Sequence, residues 1–151
     1  MLTSFVISSF YKNFSVSIKT DQIISLCFTE KQADSDTDCS FLIDIRLQLT
    51  EYFLHKRKSF NLNYSIKGSA FKLAVLKEVA MIPYGQTVTY KEIAVRSGYP
   101  NAVRAVANAV ASNPVLLIIP CHRVILSNGQ IGGYSGGIET KKYLLNHEKS
   151  I

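Results

Sequence analysis

The stretch LLIIPCHRVI, residues 116–125, places a cysteine and a histidine side by side after a run of branched apolar residues. Pro114 and Pro120 bracket the run VLLII, which is typical of an extended, buried segment whose end is fixed by the second proline ring. The pattern predicts a rigid platform that ends at Cys121. The rest of the chain must show whether this cysteine is a buried hydrophobe or a reactive group.

Cys121 and His122 form a pair that suits nucleophilic chemistry. An imidazole that accepts the thiol proton, directly or through water, supplies a thiolate near neutral pH. Leu144 and Leu145 indicate a helix that ends at Glu148, whose carboxylate could bond the ring N–H of His122 and fix its tautomer. The alternative is that Cys121 is a small buried hydrophobe, the commoner fate of a cysteine on an apolar run.

The positive charge of the chain lies in its second part. Residues 1–65 carry seven lysines and arginines against seven aspartates and glutamates, whereas residues 66–151 carry ten against four. The whole net charge of +6 therefore falls in residues 66–151. A positive field confined to one part suits a polyanion, and nucleic acid is the commonest one. A basic but inert surface is the alternative.

Residues 1–65 are predicted to form a small α+β unit with a linker. Apolar and polar residues alternate over 3–9 and 14–20, and QIISLCF at 22–28 follows a turn, which predicts a meander of three strands. An amphipathic helix that covers one face of this sheet is predicted after the polar loop TEKQADSDTD. Its apolar residues are Phe41, Leu42, Ile45, Leu49, Tyr52 and Phe53. No pattern here is typical of a reaction centre.

Two short helices joined by a glycine-containing turn are predicted in residues 89–112. In TYKE, Thr89 can bond the amide of Glu92 while the Glu92 carboxylate reaches back, a capping box that opens a helix at Tyr90. Gly98 ends this helix, and YPN leads into the next one, AVRAVANAVAS. Such a pair is a helix-turn-helix, which is a weak signal by itself.

The second of these helices has two unlike faces. Val103, Val106 and Val110 point one way and can pack inward. The opposite side carries short side chains and one long cation: Asn101, Ala102, Arg104, Ala105, Asn108 and Ala109. Such a face permits close approach to nucleic acid, and Arg104 can enter the base stack. The alternative is a helix buried on both sides, with Arg104 snorkelling.

Cysteine usage and hydropathy indicate a cytoplasmic protein. Three cysteines are too few for a secreted disulfide scaffold, so at least one thiol stays reduced. No apolar run approaches the roughly 20 residues that span a bilayer, and the N-terminus lacks a secretory pattern. Cys27, Cys39 and His55 lack metal-ligand spacing, so we expect no metal. Cys27 and Cys39 are expected to be reduced, with a disulfide as the alternative in a hyperthermophile.

Five segments together resemble the O6-alkylguanine-DNA alkyltransferases, also called methylated-DNA–protein-cysteine methyltransferases. They are TYKEIA (89–94), RAVANAVASNP (104–114), NPVLLIIPCHRVI (113–125), GQIGGYSGG (129–137) and LLNHE (144–148). The likeness runs in order over residues 69–148, and PCHRV in this context is highly specific. It implies an α+β fold, with an RNase H-like N-terminal domain (1–65) and a mainly helical DNA-binding domain with a helix-turn-helix (66–151).

The resemblance also implies a role for each catalytic residue. Cys121 is the alkyl acceptor, His122 its water-mediated base and Glu148 the group that orients His122. Asn113 braces the loop around the site. Tyr90 helps to rotate the target nucleotide out of the duplex and donates a proton to the guanine ring.

The implied substrate and DNA contacts follow from the same motifs. The Val124 carbonyl reads the exocyclic amine of guanine, Tyr134 and Ser135 border the base and bond its O6, and Arg104 fills the space that it leaves. The other expected DNA contacts are Thr89, Tyr90, Asn101, Ala102, Ala105, Arg123 and Ser127. The partner is the minor groove of double-stranded DNA, and we expect a monomer without cofactor, membrane or obligate protein partner.

Two departures from the family pattern affect these expectations. Some relatives carry a phosphate-contacting arginine near the end of the recognition helix, where this chain has Ala111. Affinity for the phosphate backbone of DNA is therefore expected to be weaker or to come from Lys91 and Arg96. His147, next to the orienting glutamate, is expected at the surface.

The activity implied is DNA repair. The protein is expected to flip O6-alkylguanine and O4-alkylthymine out of duplex DNA and to transfer the alkyl group irreversibly to Cys121, once per molecule. Two other classes stay open: a DNA-binding relative without chemistry, and a cysteine hydrolase with a Cys–His–Glu triad. The presence of Cys121 argues against the first, and a basic helix-turn-helix argues against the second.

Overall fold

The computed structural model describes residues 1–35 and 39–149 of the chain. They form two compact units, Met1–Ile66 with Pro114–Ile118, and Lys67–Asn113 with the segment from Ile119 onward. The predicted α+β class is confirmed. That residues 1–65 and 66–151 are separate domains stays a prediction.

The N-terminal unit is a three-stranded antiparallel sheet with one helix. The strands β1 (Thr3–Ser8), β2 (Asn13–Lys19) and β3 (Gln22–Thr29) pair in the order β1-β2-β3, as the alternation predicts. The helix α1 (Ser40–Phe53) buries an apolar face that includes Leu42, Ile45 and Leu49. The core is aromatic at one end, since the rings of Phe14 and Phe53 lie 6.3 Å apart.

The run VLLII is not the extended segment that its composition predicts. Only Val115 pairs with a strand, through a parallel bridge to Leu26. Leu117 then adopts a left-handed backbone with φ of 69°, and the Ile118 amide bonds the Leu116 carbonyl at 2.9 Å. Leu117 is nevertheless only 2% exposed. The prediction is wrong because a short apolar run indicates burial, which a turn achieves as well as a strand does.

The second unit is mainly helical. The helix α2 (Ala70–Ala80) is followed by β4 (Val88–Thr89), α3 (Tyr90–Arg96) and α4 (Val103–Ala111). A single 3-10 turn at Cys121–Arg123 leads into β5 (Val124–Ile125), and α5 (Ile138–Lys149) follows. The Thr89 hydroxyl accepts from the Glu92 amide at 3.1 Å, and the Glu92 carboxylate accepts from the Thr89 amide at 2.8 Å, so the predicted capping box is confirmed.

Two very short strands bring the predicted site together. Val88 and Thr89 of β4 pair in parallel with Val124 and Ile125 of β5. Tyr90 follows β4 directly, and the turn with Cys121 precedes β5 directly. The first residue of α3 is thereby held beside the cysteine. Among the described residues, no helix has both the length and the apolar character needed to cross a membrane.

Candidate active site

Hydrogen bonds to the Ile119 carbonyl fix the backbone around Cys121. The buried amide of Asn113 donates to this oxygen at 2.8 Å through Nδ2, and the Cys121 backbone N–H donates to it at 2.8 Å. Cys121 itself is only 4% exposed. A side-chain hydrogen bond thus joins the two ends of the segment 113–119, and the backbone next to the sulfur is fixed.

The imidazole next to the sulfur is paired with a carboxylate. His122 Nε2 lies 2.8 Å from Glu148 Oε1, and both side chains are buried. In the part of the chain that the structure describes, His122 Nδ1 has no hydrogen-bond partner. Burial lowers the pKa of His122, although the hydrogen bond and charge of Glu148 oppose this shift. A neutral ring that donates from Nε2 keeps Nδ1 as a proton acceptor.

Glu148 is held as a carboxylate by several donors. Arg123 donates to it through Nε at 2.9 Å and Nη2 at 2.8 Å, and the Gly85 amide donates at 3.2 Å. Burial alone would raise the pKa of Glu148, but the hydrogen bonds and charges of His122 and Arg123 hold it well below its usual range. Gly85 was not predicted as a site residue. Its φ of 77° favours glycine. The glycine in PYG, residues 83–85, was therefore the sequence signal for a tight turn at this position.

Arg123 is a predicted DNA contact that the structure buries. Its Nη1 donates to the Ile82 carbonyl at 2.7 Å, and its other donors hold Glu148. A guanidinium committed to these partners does not face solvent, so the prediction of a surface contact is wrong. The predicted DNA contact followed from the family resemblance, whereas the charge is required inside to neutralise the buried carboxylate.

A cavity of about 430 Å³ lies beside the sulfur. Its wall combines α3, α4, the cysteine turn and the loop before α5. The residues that line it are Tyr90, Ala107, Asn108, Val110, Ala111, Cys121, Leu126, Gly133, Tyr134 and Ser135. The structure thus brings together four predicted site residues, Tyr90, Cys121, Tyr134 and Ser135. A cavity of this volume is in the range of small-ligand sites.

Tyr90 lines this cavity with a buried phenol side chain. Burial raises its pKa, and the charge of Cys121 raises it further. A phenol with a raised pKa stays protonated at neutral pH, so it can donate to a group in the cavity.

Lys141 is a residue of the site that the sequence reasoning missed. It is 0% exposed, and its Nζ donates to the Val124 carbonyl at 2.7 Å and to the Gly133 carbonyl at 3.2 Å. Burial lowers its pKa to about 8, while the charge of Cys121 acts in the opposite direction. A signal was present: Lys141, Leu144, Leu145 and Glu148 recur at helical spacing and share one face of α5.

The predicted DNA-contacting face of α4 is largely accessible. Asn101, Arg104, Ala105 and Asn108 are exposed, and Ala102 is half-buried. Val106 and Val110 are buried, as predicted, but so is Ala109, which the predicted face includes. Outside this helix, Ser127 is exposed, while Thr89 is half-buried and caps α3.

Cys27 and Cys39 belong to the N-terminal unit, and His147 belongs to α5. Cys39 is exposed and Cys27 is half-buried, and neither forms a disulfide, in line with the simpler expectation. Among the described residues, no group of three or more His, Cys, Asp or Glu could hold a metal ion. His147 is buried rather than exposed, and the centroid of its ring lies 5.8 Å from that of the stacked Tyr143 ring.

Comparison with known proteins gives consistent matches. Residues 70–150 match the family model of the 6-O-methylguanine DNA methyltransferase, DNA binding domain. A methylated-DNA–protein-cysteine methyltransferase of Methanosarcina barkeri is 45% identical over 121 residues, which are 80% of this chain and 77% of the relative. The inducible enzyme of that name from Bacillus subtilis is 48% identical over 103 residues, 68% of this chain and 58% of the relative.

The solved structures extend the likeness to almost the whole chain. The crystal structure of the Mycobacterium tuberculosis O6-methylguanine methyltransferase matches with a TM-score of 0.88 and 34% sequence identity. The match covers 99% of this chain and 94% of the M. tuberculosis chain. The structure of the M. tuberculosis protein OGT in complex with DNA matches with a TM-score of 0.87 and 34% sequence identity. That match covers 96% of this chain and 91% of the OGT chain.

Proposed function

The chain belongs to the 6-O-methylguanine DNA methyltransferase family and is a DNA repair protein that transfers alkyl groups to a cysteine; we propose that this cysteine is Cys121. The observation that carries the proposal is the position of Cys121. It lines the cavity, and the next residue, His122, forms a buried hydrogen bond with Glu148. Cys27 and Cys39 lie in the other unit and do not line this cavity.

The transfer is a displacement at the alkyl carbon on O6 of guanine. The Cys121 thiolate forms a bond to that carbon, the bond from carbon to O6 breaks, and its electron pair leaves with the guanine. His122 takes the thiol proton beforehand, through water at Nδ1, since Nε2 is engaged with Glu148. The phenol of Tyr90 donates a proton to the departing guanine ring, which offsets its developing negative charge.

The alkylated base must leave the duplex to reach the sulfur. An alkyl carbon inside stacked DNA is inaccessible, and flipping costs a few kcal/mol. The exposed face of α4 supports docking in the minor groove, where short side chains at Ala102 and Ala105 permit close approach and Arg104 fills the vacated space. In the cavity, Tyr134 and Ser135 border the base, and the Val124 carbonyl bonds its exocyclic amine with the lone pair that Lys141 leaves available.

Each molecule is proposed to act once. The product is a thioether, whose carbon–sulfur bond is stable to water, so the free thiol is not regenerated. O6-alkylguanine and O4-alkylthymine in double-stranded DNA are the proposed substrates. The proposed working form is a monomer that acts in the cytoplasm without cofactor or obligate protein partner.

The experiment counts methyl groups transferred per protein molecule. The protein is mixed with a tenfold excess of a duplex containing one radiolabelled O6-methylguanine, and label bound to protein is followed to completion. We expect one equivalent on the wild type and none on Cys121→Ala. Release of label with repeated turnover would instead indicate a hydrolase with the Cys–His–Glu arrangement, and binding without transfer would indicate a DNA-binding relative without chemistry.

A further inference from the structure

Lys141 is a buried cation that the proposed reaction leaves without a role. In the part of the chain that the structure describes, its two hydrogen-bond partners are neutral carbonyl oxygens, those of Val124 and Gly133. The nearby buried carboxylate, Glu148, is committed to His122 and Arg123. An ammonium in such a site is costly unless a negative charge lies close by.

Cys121 is the group near Lys141 that can carry this negative charge, because it lines the same cavity as Gly133, whose carbonyl accepts a hydrogen bond from Lys141 Nζ. A thiolate at Cys121 raises the pKa of Lys141, in opposition to the effect of burial. The interaction is reciprocal, because two titrating groups that stabilise one another's charged forms do so by the same free energy. The Glu148 carboxylate is already paired with the Arg123 guanidinium. Lys141 and the Cys121 thiolate therefore form a second pair of opposite charges at the same site.

The same ammonium joins β5 to a loop that lines the cavity. Val124 belongs to β5, directly after the cysteine turn, and Gly133 belongs to the loop that carries Tyr134 and Ser135. One Nζ donates to a carbonyl in each, and it lies 5.8 Å from the centroid of the Tyr90 ring. A charge fixed by two hydrogen bonds stays in place while the substrate enters and leaves.

We propose that Lys141 is a positioning residue of the transfer reaction, an inference that rests on the proposed function. Its buried ammonium is the counter-charge that holds the Cys121 sulfur as a thiolate. Its hydrogen bonds also connect Val124 of β5 to the loop that contains Gly133. Alkylation cancels the charge on sulfur, so the spent protein keeps a buried ammonium without its counter-charge. The loop before α5 is then held less firmly than in the active protein.

The test measures how readily Cys121 ionises, without DNA or an alkylated base. Iodoacetamide labels thiolates, and trypsin places each cysteine in a separate peptide: 20–31 with Cys27, 32–46 with Cys39 and 105–123 with Cys121. The labelling rate of Cys121 is followed by mass spectrometry from pH 4 to 10. Exposed Cys39 is the internal standard for the reagent.

Removal of the charge should shift this titration. In Lys141→Met the midpoint for Cys121 should rise by about one pH unit or more, as expected for loss of a close opposite charge. Lys141→Arg, which keeps the charge, should have a midpoint below that of Lys141→Met. Lys142→Met is the matched control, because the Lys142 side chain is 54% exposed and pairs with Glu139. Its midpoint should equal that of the wild type.

The titrating groups around the sulfur are the same in all variants, so the shift can be assigned. They are Tyr90 on α3, His122 and Arg123 in the cysteine turn, and Glu148 on α5. An unchanged midpoint in a Lys141→Met protein with native circular dichroism would overturn the proposal. It would leave alkyl transfer by the wild type intact, so failure here is distinguishable from failure of the proposed function.

The reciprocal measurement covers the case in which Lys141→Met does not fold. The Nζ resonance of Lys141 is titrated by NMR in the wild type and in Cys121→Ser, which removes the negative charge but keeps a side chain of similar size. Lys141 should lose its proton at lower pH in Cys121→Ser than in the wild type. Identical titrations in the two proteins would contradict the proposal.

Discussion

At the scale of single residues, the site depends on buried polar groups that each hold the next. Asn113 holds the Ile119 carbonyl, Glu148 holds His122, and Arg123 holds Glu148. Removal of one member leaves its buried partner with fewer hydrogen bonds, which costs free energy because water cannot replace the lost donor or acceptor. Substitutions here should therefore affect both stability and reaction rate.

Asn113→Ala should destabilise the protein by about 1–3 kcal/mol, because it leaves the buried Ile119 carbonyl without its side-chain donor. Urea denaturation gives the free energy of unfolding. Asn101→Ala, a substitution of an exposed asparagine, is the control and should change this free energy by less than about 0.5 kcal/mol. Equal effects of the two substitutions would contradict the role of Asn113 as a brace.

The carboxyl of Glu148 should make stability depend on acid pH. Its pKa is lower in the folded chain than in the unfolded chain, so its contribution is present above the unfolded value of about 4.3. That contribution is lost as the pH falls towards the folded value. The folded and unfolded pKa values of Glu148 set a window of roughly pH 5 to pH 2. Over this window the wild type should lose stability more steeply than Glu148→Gln does.

Denaturation in urea at several pH values measures this dependence. Glu139→Gln is the matched control, because Glu139 lies on the same helix but has an exposed side chain. At pH 7, Glu148→Gln should be less stable than the wild type by about 3–5 kcal/mol, since it leaves the buried Arg123 charge unpaired. If Glu148→Gln kept the acid dependence of the wild type, the assignment of that dependence to Glu148 would be wrong.

At the scale of elements, α4 presents a smooth exposed face with one arginine. Arg104→Ala should slow methyl transfer from duplex DNA by about 10- to 100-fold, because an unfilled stack makes extrusion of the base less favourable. It should leave the reaction with free O6-methylguanine unchanged, since no extrusion is needed there. Lys77→Ala, at an exposed cation on α2, is the control for lost positive charge. A matching loss with the free base would place Arg104 in the chemistry instead.

The elements that could be predicted from sequence are those with local signals. The alternation over 3–9 and 14–20, the strand predicted for 22–28 after a turn, and the capping box of Thr89 and Glu92 are all signals from near neighbours in sequence. The strands and the capping box are present in the structure. The turn at Leu117 was missed because burial of an apolar run does not specify its backbone.

The charged residues of the site were harder to predict than its nucleophile. Cys121, His122 and Glu148 have chemistry that a motif identifies. Arg123 and Lys141 are cations, which are exposed in most proteins, and only the fold shows that each is buried and which groups accept its hydrogen bonds. A surface role for Arg123 was therefore predicted wrongly, and Lys141 passed unnoticed next to exposed Lys142.

At the scale of the whole molecule, alkylation should lower the stability of the protein. An added carbon in a tight site costs about 1–3 kcal/mol, which for a chain of this length lowers the Tm by roughly 2–10 °C. The lost charge on sulfur acts in the same direction through Lys141. Calorimetry before and after reaction with a methylated duplex, with the DNA removed, measures the difference. Equal melting of the two forms would contradict this prediction.

The identity of the acceptor atom is the central claim, and peptide mapping after the reaction tests it most directly. The protein is reacted with an excess of duplex DNA that contains O6-methylguanine and is then digested with trypsin. The masses of the three cysteine-containing peptides are measured by mass spectrometry. We expect peptide 105–123, with Cys121 as its one cysteine, to gain a single methyl group, and peptides 20–31 and 32–46 to keep their masses. A methyl group on Cys27 or Cys39, or on none of the three, would contradict the account.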